Sequence, residues 1–233
     1  FTGWVRGVLE AGLTDPKVRL ESRNNILGYF KKEIDDRKAN PRDDDLITTL
    51  LNSEVDGEKV PEEYVHGVCN LMLVAGVDTT WSSIGASLWH LAQHPEHRRQ
   101  LRDDPDLWPS AVEELLRAYA PVTMARIVAH DTEFQGCPMH AGDRVLMSFP
   151  AANRDPRQFE RPDEVILDRE HNRHVAFGAG IHRCAGSNLA RLELRVALQT
   201  FLARIPEFEL VDPASVTWAG GQVRGPRVCK VRF

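Results

Sequence analysis

Apolar residues recur at helical spacing from the start of the chain, where Trp4, Val5, Val8 and Leu9 fall on one face. Thr14, Asp15 and Pro16 then combine a stop with a helix start, because proline is tolerated at the first helical position. The pattern predicts a second helix over 16–37, with Leu20, Leu27, Phe30 and Ile34 as its apolar face. It ends before the charged run DDRKANPRDDD, whose Asn40–Pro41 pair marks a loop and which reads most simply as a solvated connection. A short helix follows around Leu46, Ile47, Leu50 and Leu51, then a turn at EVDGEK. Pro61 opens a continuous helical pattern reaching Gln93, a rod of roughly 50 Å at about 1.5 Å per residue. Between Val68 and Leu91 its apolar residues lie nearly all round, so it needs neighbours on every side.

Two more helices are signalled by HPEHRRQLRDD and WPSAVEELLRAYA, the second with Pro109 near its start and Pro121 just beyond its end. From Arg126 to Phe149 the character changes. β-Branched residues, a turn at Gly136 and another at Ala141–Gly142–Asp143 predict a small antiparallel sheet. A loop of about 25 residues with little periodicity comes next, a length usually associated with function. Helical periodicity resumes at Ser187 and stops at Pro206, and two weak strands are expected around Phe208 and over 228–233. The fold class read from this pattern is mainly α with a small antiparallel β-sheet, in one helix-rich unit over residues 1–233.

Charge and cysteine content narrow the function classes. Lysine and arginine number 29 against 34 aspartates and glutamates, a net charge of −5, which argues against a nucleic-acid partner. The four cysteines, at 69, 137, 184 and 229, have no paired spacing, so neither a disulfide framework nor a CxxC metal site is expected and a reducing, cytoplasmic setting is. The longest apolar stretch, Val68 to Val77, is interrupted by Asn70 and Gly76. It falls short of the roughly 20 residues that cross a bilayer, and no membrane association is expected. The chain begins FTGWVRGVLEAG, with neither an initiator methionine nor a targeting layout, and so reads as starting in mid-protein.

The densest chemical signal is HVAFGAGIHRCAGSNLARLEL, residues 174–194. Gly178, Gly180 and Gly186 allow close backbone approach to another object, and Cys184 sits just before a predicted helix. Open N–H groups at a helix start favour a thiolate, which is also a soft metal ligand. An isolated cysteine is otherwise a small buried hydrophobe. The glycines do not make a dinucleotide loop, since Arg183 stands where GxGxxG needs its third glycine. A second signal, Ala75-Gly76-Val77-Asp78-Thr79-Thr80, places carboxylate and hydroxyl within an otherwise apolar helix, either a polar face or a polar pocket able to relay protons. The third, Glu114 and Arg117, is an i,i+3 pair that by itself would be surface decoration.

The segment Phe177-x-x-Gly180-x-x-x-Cys184-x-Gly186 resembles the haem-binding signature of the cytochrome P450 family. The resemblance implies that Cys184 is the axial iron ligand, pushing electron density onto the metal. Phe177, Gly178 and the backbone amides after the cysteine would shield the sulfur, while His182 and Arg126 would hold the propionates of haem b (iron protoporphyrin IX). AGVDTT is similar to the family's distal acid–alcohol pair, with Ala75 and Gly76 leaving room for dioxygen, Asp78 supplying protons and Thr79 ordering hydrogen bonds. Glu114 and Arg117 match the family's ExxR, which holds the haem loop in place. NRDPRQFERPDEVILDR, residues 153–169, resembles the meander before that loop. It departs from the pattern at Glu164, where an arginine or histidine often completes the ExxR network, so Arg161 and Arg169 are the candidate third partners.

The resemblance covers essentially the whole chain but only the carboxy-terminal portion of the family's domain. It implies a cytochrome P450 fold incomplete at the amino terminus, and a monooxygenase inserting one atom of dioxygen into a small apolar organic substrate. Val74, Ala75, Val122 and Met124 are the candidate haem-facing residues. No flavin, nicotinamide or iron–sulfur motif is present, which implies a ferredoxin or flavodoxin-type donor with an NAD(P)H-dependent reductase. Arg183, Arg191 and Arg195 either receive that donor or form a solvated helix face. The alternatives are a haem-thiolate peroxygenase or isomerase, and a zinc-binding structural module using His171, His174, His182 and Cys184. If these residues were the entire molecule, a large apolar surface should lie open along the long helix.

Overall fold

The starts of α2 and α3 are set by aspartates whose side chains accept open N–H groups. The computed structural model describes residues 1–233, which divide into two compact units, Phe1–Asp78 and Thr79–Phe233. In the first, α1 (Thr2–Leu9) is followed by α2 (Pro16–Ala39), whose cap residue Asp15 accepts from the amides of Lys17 and Val18 at 2.9 and 3.3 Å. Such a cap contributes about 1 kcal/mol. The α1 and α2 backbones pack closely at Gly7, where a Cβ would run into Ser22. α3 (Leu46–Leu51) is capped by Asp45, which accepts from Thr48 N at 2.8 Å.

The charged run DDRKANPRDDD is more than a solvated connection, and α2 does not end before it: Asp35 to Ala39 are still helical. Arg37 is buried and pairs with Glu33 and Asp36 at 2.8 and 2.7 Å and with Asp45 at 3.4 Å, so the carboxylate that caps α3 also faces the end of α2. The expected turn at EVDGEK is a hairpin, β1 (Glu54–Val55) on β2 (Glu58–Lys59), with Asp56 and Gly57 both at positive φ as a tight twisted turn requires. α4 (Glu62–Gln93) runs uninterrupted. Its first half contributes Val65 and Cys69 to a small core with Ile34, against which Phe30, Ile47, Leu50 and Leu51 pack. Tyr64, Leu71 and Met72 on the same half are each more than half exposed.

The second unit holds the rest of α4, α5 (Pro95–Asp103) and α6 (Trp108–Ala118), then β3 (Thr123–Ile127), β4 (Thr132–Phe134), β5 (Cys137–Met139) and β6 (Arg144–Ser148). A single-turn α7 (Phe149–Ala152) opens an irregular stretch that lasts until α8 (Ser187–Arg204). β7 (Glu209–Leu210), β8 (Thr217–Ala219), β9 (Gly225–Val228) and β10 (Val231–Arg232) close the chain. The expected sheet is resolved into separate antiparallel ribbons: β3 on β6, β4 on β5, β7 on β10 and β8 on β9. The last of these was not anticipated, because its strands are three and four residues long and β9 opens Gly225–Pro226. It packs on α4 through Gly225, where a Cβ would run into Ser82. The core joins Leu91, Leu101, Val112, Leu115, Leu194 and Leu198 from four helices. No helix is long and apolar enough to cross a membrane.

Candidate functional site

The loop before α8 is a folded object held by its own backbone. Gly178 and Gly180 lie at φ +69° and +66°, a region that favours glycine, and they turn the chain so that Cys184 N–H donates to Phe177 O at 2.9 Å. Arg183 N–H donates to Gly180 O at 3.1 Å, and Ser187 N–H to Cys184 O at 3.4 Å, which joins the loop to the first turn of α8. Phe177, Gly178, His182, Cys184 and Gly186 are thereby brought into one loop, with the Cys184 thiol exposed. Ile181 is 97% exposed, and nothing lies within 4 Å of where a Cβ on Gly180 would stand.

Arg126 lies on β3, where the β3–β6 register pairs Arg126 with Val145 and Met124 with Met147, so alternation puts Met124 and Arg126 on one face. Its guanidinium donates only to Ala125 O, at 2.9 Å, and neither Arg126 nor His182 forms an ion pair with a carboxylate. On α4, Ala75 and Gly76 are exposed, Asp78 is 1% exposed and Thr79 is half-buried. Ser83 Oγ donates to Thr79 O and Ser87 Oγ to Ser83 O, at 2.9 and 2.8 Å, so these two serines are satisfied by the helix's own carbonyls.

A buried charge network joins α6 to the irregular stretch that precedes the loop. Glu114 and Arg117 are both 0% exposed. Arg117 Nε and Nη2 donate to the two Glu114 oxygens at 2.8 Å each; Nη1 reaches Asn153 O and Pro162 O, and Nη2 also reaches Glu164 O. All five guanidinium N–H groups therefore have partners. Glu114 further accepts from Ile166 N at 2.8 Å, Arg169 Nε at 2.9 Å and Asn172 Nδ2 at 3.1 Å. Burial opposes its charge, but the bonds from Arg117, Ile166 and Arg169 outweigh it and hold the carboxyl below its usual value. The third partner left open by the sequence is Arg169. Arg161 instead pairs with the Glu164 carboxylate on the surface at 3.1 Å, while Glu164 serves the network through its carbonyl.

Glu113 has no place in the motifs and emerges only from packing. It receives Arg191 Nε and Nη2 at 2.6 and 2.8 Å and contacts His174 Nε2 at 3.1 Å, while the Arg191 guanidinium sits 4.5 Å from the Phe177 ring centre. Arg191 is thus committed to holding α6, α8 and the loop together and is not part of an open cationic face; Arg183 and Arg195 remain exposed. His174, engaged by Glu113, is not joined to His171, His182 and Cys184 in a metal-type cluster. The Glu113 carboxyl is held down to about 2 from 4.5, burial raising it and the His174 and Arg191 bonds lowering it more. The unfolded chain takes up this proton first, so the contribution is complete above pH 4.5 and lost as pH falls toward 2. Glu113→Gln is expected to cost about 2–3 kcal/mol at neutral pH and to flatten the acid limb of a denaturant-stability profile within that window.

The sequence profile described as "Cytochrome P450" matches residues 16–214. A probable cytochrome P450 127A1 of Sinorhizobium fredii is 36% identical over 225 residues, 97% of this chain and 53% of that protein. The polyketide biosynthesis cytochrome P450 PksS of Bacillus subtilis is 35% identical over 221 residues, 94% of this chain and 54% of its own. The solved structure of PksS superposes with a TM-score of 0.93 over 99% of this chain and 60% of that one. The chain spans about half the length of the curated relatives it matches. A glycine-turned cysteine loop before α8, a buried Glu114–Arg117 pair tied to the irregular stretch over 153–172, and a profile match over most of the sequence lead to one assignment: this chain belongs to the cytochrome P450 family.

Proposed function

We propose that the chain is the thiolate-bearing portion of a haem-thiolate monooxygenase that inserts one atom of dioxygen into an apolar organic molecule, with electrons from a separate protein. The observation that carries this reading is the Cys184 loop, an exposed thiol on a backbone turned by two left-handed glycines and fixed to Phe177 O. Its donor set suits haem b: one soft sulfur, an apolar surround in Phe177 and Ile181, and in His182 and Arg126 two groups that no protein carboxylate occupies. Haem, when bound, supplies the iron at which dioxygen is activated.

The chain's own residues then have separable tasks. Cys184 would present its sulfur to the metal, with Gly178, Gly186 and Phe177 around it. His182 and Arg126 hold the propionates. The Glu114–Arg117–Arg169 network and the Glu113–Arg191–His174 bridge keep the loop in register. Asp78 and Thr79 hold and pass protons, beside the small Ala75 and Gly76. Val74, Val122 and Met124 offer apolar contact, in keeping with an organic substrate; the Bacillus subtilis relative is named for polyketide biosynthesis. Arg183 and Arg195 are the cations left for a ferredoxin or flavodoxin-type donor served by an NAD(P)H-dependent reductase. The Asp78–Thr79 pair disfavours peroxide use or isomerisation, which need no proton delivery to dioxygen.

The test is labelled dioxygen and full-length, haem-loaded protein with a surrogate reductase system: one labelled atom in the product is expected, and none overturns the reading. Thr79→Ala is expected to keep oxidising NAD(P)H while product per NAD(P)H falls several-fold and peroxide accumulates. Unchanged coupling would remove Thr79 from proton ordering.

A further inference from the structure

Three imidazoles converge where α4 passes into α5. His90 is on the last turn of α4, His94 is the cap residue of α5 and His97 is in its first turn, so the spacing is i, i+4, i+7. The α4 and α5 helices are separated only by His94, whose backbone at φ −125°, ψ 74° bends the chain. One ring nitrogen from each histidine lies within 4.8 Å of the others. His90 is 2% exposed, and His94 and His97 are half-buried.

Two of the rings are oriented by a polar neighbour outside the cluster. His90 Nδ1 lies 2.8 Å from the Tyr119 hydroxyl, and His94 Nδ1 lies 2.9 Å from Glu96 Oε1. His90 Nε2 and His97 Nδ1 face each other at 2.8 Å. Metal-bound histidines are held in this way, one nitrogen on a carboxylate or other polar group and the second directed at the ion. An apolar core has no use for three imidazoles stacked with centres 4.1 to 5.3 Å apart, and none of them enters the chemistry assigned to the Cys184 loop.

We propose that His90, His94 and His97 form a transition-metal site that takes Zn²⁺, completed to four-coordination by water. Zn–N bonds of about 2.0–2.1 Å set tetrahedral ligand nitrogens about 3.3 Å apart. The 2.8 Å His90–His97 pair must therefore open by about half an ångström and the widest pair, at up to 4.8 Å, must close by as much as about 1.5 Å, both by rotation of the rings. The proton shared in that contact moves to the other nitrogen of its own ring, so the ion replaces a hydrogen bond without net proton release. The ion would clamp the α4–α5 junction to Tyr119 at the end of α6. Its role is structural, and it stands independently of the monooxygenase reading.

The experiment uses untagged, full-length, haem-loaded protein, treated with a chelator and titrated with Zn²⁺ by calorimetry, with thermal unfolding and zinc-edge X-ray absorption in parallel. One Zn²⁺ per chain at micromolar or tighter affinity, a raised Tm and imidazole nitrogen without sulfur in the zinc shell are expected. His94→Gln and His97→Gln should weaken binding more than about 100-fold, and Glu96→Gln roughly 10–100-fold, each with the haem spectrum unchanged. His140→Gln, on an exposed turn, should bind as before. Should a ligand variant not fold, Glu96→Gln on the solvent side still decides the matter. Absence of saturable binding at millimolar Zn²⁺, sulfur in the zinc shell, or binding indifferent to His94→Gln and Glu96→Gln would each overturn the site.

Discussion

Cys184→Ser is expected to abolish the far red-shifted Soret band of the reduced, carbon monoxide-bound protein and to lower oxygenase activity by roughly 10²-fold or more, the scale on which loss of one preorganised electrostatic group acts. The reason lies in the side chain's chemistry. Sulfur ionises readily and shares electron density with the metal, whereas a serine hydroxyl does neither near neutral pH. The fold should survive the change. Cys184 is exposed, its backbone bonds to Phe177 and Ser187 do not use the thiol, and serine fits the same φ and ψ. Haem retained on the variant would therefore carry a different spectrum, and retention of both spectrum and activity would overturn the assignment of Cys184 as ligand.

Glu114→Ala is expected to remove about 3–5 kcal/mol of stability, because it strands a buried guanidinium instead of deleting a surface charge. Arg117 would keep its three carbonyl partners but lose both bonds to carboxylate, and Arg169, whose side chain is 7% exposed, would lose its counter-charge. Since whole domains are stable by only about 5–15 kcal/mol, the expected outcome is little soluble, haem-loaded protein. Arg117→Lys should fail similarly, as an ammonium cannot meet five acceptors in the plane of a guanidinium. Arg161→Ala is the informative contrast. It removes an exposed pair with Glu164 and should leave yield and Tm nearly unchanged. Soluble, haem-loaded Glu114→Ala of ordinary stability would show that the network does not brace the loop.

Much of the architecture was legible along the chain, and the legible parts share a cause. The starts of α2 at Asp15–Pro16 and of α5 at Pro95, and the end of α8 before Pro206, depend on contacts within one helical turn, so the local residues suffice. The loop at Cys184 was legible for a similar reason: its glycines, cysteine and following helix are contiguous. The β8–β9 hairpin was not, because strands so short carry no periodicity and owe their pairing to the close approach of Gly225 to Ser82.

By itself, then, the sequence determined most helix starts, the cysteine loop and the spacing of Glu114 and Arg117, all set by neighbours a few residues apart; it did not determine the buried face of α2, where Leu20 of the expected apolar face is 58% exposed and Ile26 is buried instead. Only the tertiary structure decided which cation completes the network: Arg161 and Arg169 are alike in sequence, but positive φ at Arg161 belongs to a surface turn, while Arg169 is directed inward to Glu114, 55 positions earlier. The same holds for Glu113, whose value comes from Arg191 and His174, for Arg37, whose burial depends on the carboxylates around it, and for the three histidines gathered beside Tyr119. A partner chosen across such separations depends on the path of the backbone between the two residues, and that path is fixed by burial of the core rather than by any residue's immediate neighbours.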